Sequence, residues 1–145
     1  MTRVALVMAV MAFILAMGAG AVMAVDKTGT PGDDVLVGTK KDDRLSGRGG
    51  DDLLRGLRGN DELYGGSGDD TIYGGAGNDY IEGGCGKNVV DAGPGDDEIL
   101  SFVCGGDRQK IRCGSGHDKV RVTGGPGKLY NGRIANDCEY VIKVR

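Results

Sequence analysis

Gly65–Tyr73 (GGSGDDTIY), Gly74–Glu82 (GGAGNDYIE) and Gly83–Asp91 (GGCGKNVVD) place three nine-residue stretches in one register. Followed upstream, that register starts units at Gly29, Gly38, Gly47 and Gly56; downstream it starts one at Ala92, giving eight consecutive units without an insertion. The fourth position is glycine in every unit but one, where Lys41 stands. The sixth position runs Asp34, Asp43, Asp52, Asp61, Asp70, Asp79, Asn88, Asp97, and the eighth Leu36, Leu45, Leu54, Leu63, Ile72, Ile81, Val90, Ile99. A glycine-rich acidic linker needs no aliphatic residue at every ninth position, so the stretch reads as a structural repeat.

Each unit holds a turn and a short strand. Glycine reaches positive φ without steric cost, so glycines at two or three of the first four positions let the turn curl its carbonyls inward. The Asp that follows adds a carboxylate. Calcium is a hard cation that takes six to eight oxygens at about 2.3–2.6 Å, and such a turn offers both kinds of oxygen. One turn holds too few, so a second must face it, and strands stacked about 4.8 Å apart bring two turns within reach of one ion.

If units alternate between the two sides of a flattened coil, each turn faces the turn two units along. One side then carries Asp34, Asp52, Asp70 and Asn88, and the other Asp43, Asp61, Asp79 and Asp97. Carboxylates stand on both sides of the pairs 34/52, 52/70, 43/61, 61/79 and 79/97, which predicts five sites. A site between Asp70 and Asn88 is weakened by the neutral amide and by Lys87. The Gly38 turn, with Thr39, Lys40 and Lys41, is expected to bind less well. At the fifth position, Asp33, Asp42, Asp51, Asn60, Asp69, Asn78 and Asp96 are either further ligands or turn-shaping groups that bond backbone amides, and the second role is favoured.

The pattern resembles the G-G-x-G-x-D-x-U-x repeat of RTX, or haemolysin-type, calcium-binding proteins, over Gly29 to Leu100. The resemblance implies an all-β chain: a right-handed parallel β-roll, or β-solenoid, in which two repeats make one coil and Ca2+ sits between stacked turns. Proteins of this family often join the roll to a protease, lipase or pore-forming domain and leave the cell by a C-terminal signal. This chain is nearly all roll and opens on an N-terminal apolar segment, so the resemblance is to the small secreted repeat proteins, of bacterial type, and carries no toxin or protease activity across.

The chain has 145 residues, and residues 1–24 read as a signal peptide: Arg3 is the positive start, Val4–Met17 the apolar run, and Val22-Met23-Ala24 a small-residue cleavage site. A membrane anchor over Val4–Val25 is the rival reading; the small residues Gly18–Ala21 favour processing, with no stable span left after cleavage. In either case the repeats are exported. Residues 25–103 are then the repeat roll, and residues 104–145 a degenerate continuation with a C-terminal cap.

With no Trp, two Phe and one aliphatic core position per unit, apolar burial alone is marginal for a domain of this size. Metal is expected to supply the rest. A site that binds only the folded chain contributes about 2.7 kcal/mol at a hundredfold excess of ligand over its Kd.

All four cysteines, Cys85, Cys104, Cys113 and Cys138, lie in the exported part, and an even count in a small secreted chain points to two disulfides. Three pairings are open; Cys85–Cys104 with Cys113–Cys138 is favoured, because the first pair lies about one coil apart and the second ties down the last segment. Zinc held by Cys104, Cys113, Cys138 and His117 is the alternative, without a C-x-x-C pair to support it.

After Leu100 the beat slips by three residues and resumes at Cys104–Arg112 and Cys113–Arg121, with Gln109 where Asp is expected and Asp118 retained as a weaker ligand candidate. The tail Tyr130–Arg145 alternates Tyr140, Val141, Ile142 and Val144 as an edge-covering strand would. Charge separates along the chain: residues 25–107 hold 8 Lys or Arg against 18 Asp or Glu, and residues 108–145 hold 9 against 3. The basic end complements the acidic roll, or it touches an anionic cell-wall or surface polymer through Arg112, Lys119, Arg121 and Lys128. No aromatic interleaving suits nucleic acid.

Catalysis finds no support. His117 is the only histidine, neither H-E-x-x-H nor G-x-S-x-G occurs, and every carboxylate of the roll fits the repeat. The expected protein is a secreted calcium-binding repeat protein, not an enzyme, that folds as its turns take up Ca2+. The alternative is a surface or matrix adhesion module in which calcium stiffens the scaffold. An ice-binding face would need a flat threonine array, and Thr30, Thr39 and Thr71 do not make one.

Overall fold

The computed structural model describes residues 23–104, 109–124, 133–138 and 140–144. The signal-like segment therefore lies outside the described residues except for its last two positions, as does Lys128. Thirteen strands and no helix make up the described chain: β1 Asp26–Thr28, β2 Val35–Val37, β3 Arg44–Gly49, β4 Leu53–Arg58, β5 Glu62–Ser67, β6 Thr71–Ala76, β7 Tyr80–Cys85, β8 Val89–Pro94, β9 Glu98–Val103, β10 Lys110–Ser115, β11 Lys119–Gly124, β12 Arg133–Ile134 and β13 Tyr140–Val144. Accordingly, no described helix is long and apolar enough to cross a membrane.

Odd and even strands separate into two parallel sheets. One runs β1-β3-β5-β7-β9-β11-β13 and the other β12-β10-β8-β6-β4-β2. Each pair of consecutive repeats is therefore one coil of a parallel β-solenoid, the expected β-roll. Because side chains alternate along a strand, the eighth-position residue of every unit points into the space between the sheets. Leu45, Leu63, Ile81, Ile99 and Val120 stack in register along one sheet. Leu36, Leu54, Ile72, Val90, Ile111 and Ile134 do so along the other. All but the two end residues, Leu36 and Ile134, are buried.

From β2 to β7 the core is one side chain wide per strand, widening to two at β8, β10 and β11 with Ala92, Cys113 and Val122, so the turns must approach closely, and the glycines permit this. Gly66 and Gly68 have φ of 110° and 128°. A Cβ on either would collide with the backbone of Arg48 or Gly50 in the coil below. Two units break this rule: Arg48 (φ 78°) and Leu57 (φ 86°) hold the second position left-handed without being glycine.

The three-residue slip after Leu100 is absorbed on one edge alone. β9 pairs with β11, and β8 with β10, at a separation of 21 residues where upstream coils use 18. The extra residues lie in the connection from β9 to β10, and a β-bulge at Gly83 marks the change, Glu82 pairing with Leu100 but Gly84 with Ser101. The opposite connection, Gly116–Asp118, keeps the three-residue length of Gly95–Asp97. The tail adds β12 and β13 as the last strand of each sheet.

Candidate metal centre

The turns form two edges. One carries Asp34, Asp52, Asp70, Asn88 and Gln109; the other carries Asp43, Asp61, Asp79, Asp97 and Asp118. Along each edge one carboxylate oxygen is committed to the fold. The backbone N–H of Asp34 donates to Asp52 Oδ1 (2.8 Å), Asp52 to Asp70 Oδ1 (3.0 Å) and Asp70 to Asn88 Oδ1 (2.8 Å). On the other edge Asp43 donates to Asp61 Oδ1, Asp61 to Asp79 and Asp79 to Asp97 (each 2.8 Å), and Asp97 to Asp118 (2.9 Å).

The second oxygen is left over. The Oδ2 atoms of Asp52, Asp61, Asp70, Asp79 and Asp97 are buried and have no hydrogen-bond partner among the described residues. A buried unpaired carboxylate oxygen costs several kcal/mol unless a cation or proton compensates it. The first glycine of each unit shows what surrounds it. A Cβ on Gly65 would stand 2.5 Å from Asp70 Oδ2 and 2.6 Å from the Gly83 carbonyl oxygen of the next coil; on Gly38 it would stand 2.6 Å from both Asp43 Oδ2 and the Gly56 carbonyl. Gly47 and Gly56 face Asp52 with Gly65 O, and Asp61 with Gly74 O, in the same way. The missing Cβ thus leaves a cradle walled by a carboxylate and a carbonyl from successive coils. Its donors are all oxygen, the set a hard divalent cation prefers, so the residues present fit calcium.

Burial dominates the protonation of these groups. Desolvation raises the Asp79 carboxyl to about 7, against the lowering effect of the Asp61 N–H and with added repulsion from Asp97 and Asp61. Asp61, Asp70 and Asp97 are raised to about 6 by the same cause, and Asp52 is raised as well.

The ends of the array differ from its middle. The Thr30 hydroxyl donates to Asp34 Oδ2 (2.9 Å), and the Thr39 hydroxyl to Asp43 Oδ2 (3.0 Å), so in the first unit of each edge a side chain already occupies the second oxygen. At Asn88 an amide nitrogen stands there instead, bonded to the Gly83 carbonyl.

The fifth-position residues build a second ladder in the opposite sense. Asp33 accepts the N–H of Asp51, Asp51 that of Asp69, and Asp69 that of Lys87, at 2.7–2.8 Å. Asp42 accepts from Asn60, Asn60 from Asn78, Asn78 from Asp96 and Asp96 from His117, at 2.7–3.0 Å. Each thus has an oxygen shaping the turn, and all of these side chains belong to exposed residues.

Asp118 joins the Asp97 ladder despite its degenerate repeat. Because the insertion sits on the other edge, Asp118 continues the ladder from Asp97 and presents the same buried Oδ2. No count along the sequence shows which edge takes up three added residues.

Cys85 is joined to Cys104 and Cys113 to Cys138, and no cysteine remains free, which removes the thiolates that the zinc alternative requires. The proximity of Asp137 to Cys113 and Cys138 is that of a carboxylate beside a disulfide. Of the basic residues that a polymer-binding surface would use, Arg112 pairs with Asp91 (3.5 Å) and Arg121 with Glu98 (3.2 Å), carboxylates of the roll itself.

Residues 28–63 and 64–99 each match the family model of the RTX calcium-binding nonapeptide repeat in four copies. No curated protein matches the chain.

Proposed function

The chain belongs over residues 28–99 to the RTX calcium-binding nonapeptide repeat family, and from that premise we propose that it is a secreted calcium-binding β-roll that completes its folding on taking up several calcium ions. The observation that carries this reading is the row of buried Oδ2 atoms of Asp52, Asp61, Asp70, Asp79 and Asp97, each without a hydrogen-bond partner among the described residues. Asp52, Asp61, Asp70, Asp79 and Asp97, with Asp118, would hold the ions together with glycine carbonyls of the neighbouring coil. Asp34 and Asp43 would hold weaker ones, because Thr30 and Thr39 compete for the same oxygens.

Bound calcium supplies positive charge to carboxylates that are otherwise stacked and desolvated. Without it, like charges repeat along each edge while the core is only one or two side chains per strand, and the turns are expected to open. Extracellular calcium modules bind at about 10⁻⁴ to 10⁻³ M, well above cytosolic free calcium, so a chain of this kind stays unfolded inside and folds after export. Its role is a structural scaffold rather than catalysis: the carboxylates an enzyme would use are the ones the ions need.

Circular dichroism of the oxidised chain in chelator and in millimolar calcium tests the reading. The β-signal should grow on calcium addition and magnesium should not replace it, since magnesium keeps its waters and demands a tighter octahedron. A complete β-signal in chelator, unmoved by calcium, would sink the proposal.

A further inference from the structure

Asn88 is fully buried and Gln109 nearly so, although neither is apolar and neither is a calcium ligand of ordinary strength. Their bonds explain their place. Asn88 Oδ1 accepts the Asp70 N–H (2.8 Å), the task that Asp performs elsewhere on this edge. Its Nδ2 donates to the carbonyls of Gly83 (2.7 Å) and Gly84 (3.2 Å). From the next coil, Gln109 Nε2 donates to the same Gly84 carbonyl (3.1 Å) and to that of Phe102 (2.6 Å), while its Oε1 accepts from the buried Ser101 hydroxyl (2.5 Å). The Cβ position of Gly83 faces Asn88 Nδ2 at 3.1 Å, where equivalent glycines face a carboxylate oxygen and a carbonyl.

We infer that the side-chain amides of Asn88 and Gln109 take the place of a cation and lock this edge of the roll without metal. The inference rests on the calcium reading for what the amides replace. An amide carries an acceptor and two donors on one plane, so it can serve the backbone ladder with its oxygen and inward-turned carbonyls with its nitrogen. A carboxylate can do only the first and needs a cation for the second. Being neutral, the amide pair also avoids adding charge to a desolvated site. The lock lies where the register breaks, at the bulge at Gly83 and the longer β9–β10 connection, and the Cys85–Cys104 disulfide holds the same connection. The calcium array on this edge therefore ends at Asp70, while the carboxylate ladder of the opposite edge runs on to Asp118.

Two measurements on the oxidised full chain decide it. Hydrogen exchange by NMR in saturating calcium should leave the side-chain amide protons of Asn88 and Gln109 at least a hundredfold slower than those of exposed Asn60 and Asn78; equally fast exchange overturns the lock. Equilibrium dialysis with radioactive calcium should find one more bound ion in Asn88→Asp than in wild type, since that change frees the Gly83 carbonyl and adds a buried carboxylate. An unchanged number in a folded variant overturns it too, and if the variant fails to fold the exchange experiment decides. Wild type binding no calcium at all would refute the calcium reading and leave the exchange rates to judge the lock alone.

Discussion

The two edges of the roll solve one problem by different chemistry. The edge of Asp43, Asp61, Asp79, Asp97 and Asp118 repeats a carboxylate at every turn, with buried oxygens that have no hydrogen-bond partner among the described residues at Asp61, Asp79 and Asp97. The edge of Asp34, Asp52, Asp70, Asn88 and Gln109 starts the same way and then closes on neutral amides beside a disulfide. Inward-turned carbonyls need a positive partner, and either a metal ion or an N–H will serve. The first choice couples folding to calcium; the second does not.

Removing a carboxylate from the middle of the long edge should do the most damage. Asp79→Ala strips the acceptor from the Asp61 N–H and takes a ligand from the cradles on either side. At a hundredfold excess of calcium each lost site removes about 2.7 kcal/mol, so the loss of both flanking sites should lower the calcium-loaded melting temperature by about 20 °C. Asp34→Ala, at an exposed end where Thr30 already holds the carboxylate, should lower it by less than half as much; equal losses would erase the distinction between end and middle.

Opening the other edge should cost stability but no calcium. Replacing Cys85 and Cys104 together by Ser removes a cross-link across 19 residues, worth about 3 kcal/mol in the chain-entropy account. Calorimetry should record that loss while the number of ions bound stays that of wild type. A drop in ion number would mean that the disulfide supports metal sites rather than the amide lock.

Acid should act on the carboxylates of both edges and leave the amide lock untouched. The folded-state carboxyls of Asp61, Asp70, Asp97 and Asp79 lie at about 6 to 7, above their ordinary 3.8, so the folded chain binds protons more tightly than the unfolded one. In chelator this contribution is fully present below pH 3.8 and is lost as pH rises through 6 to 7. The metal-free chain should therefore melt higher at pH 4.5 than at pH 8. With calcium the order reverses, because protons compete for the same oxygens, and the calcium midpoint should move to higher concentration as pH drops below 6. A metal-free melting temperature that rises with pH would contradict the burial of these groups.

The smallest effect tests the backbone, once on each edge. Arg48→Gly and Leu57→Gly relieve a left-handed conformation costing about 1–2 kcal/mol and give back part of that in chain entropy. Each should raise stability by about 0.5–1 kcal/mol in urea titration, without altering calcium uptake. A loss of stability would show that the side chains earn their place by packing.

Much of this architecture is legible in nine-residue steps. Leu45, Leu54 and Leu63 mark the core because a stacked strand puts the same position inside every time, and the alternation of Asp34 and Asp43 between edges follows from two units per coil. Repetition makes local pattern and long-range contact the same information. Where the repeat fails, that equivalence fails too. Gln109 reads as a lost ligand, Asn88 as a weak one and Asp118 as a remnant, since Asp118 and Gln109 find partners 21 and 25 residues away across an insertion and Asn88 shares the Gly84 carbonyl with Gln109.

The sequence by itself therefore determined the parallel roll, its core and the set of carboxylates available to metal, because each depends only on register. The tertiary structure decided which edge absorbs the three added residues, that Asp118 rejoins its ladder, and that Asn88 and Gln109 meet at the Gly84 carbonyl. Those outcomes depend on how stacked backbones share space around a bulge, and no spacing between residues encodes that on its own.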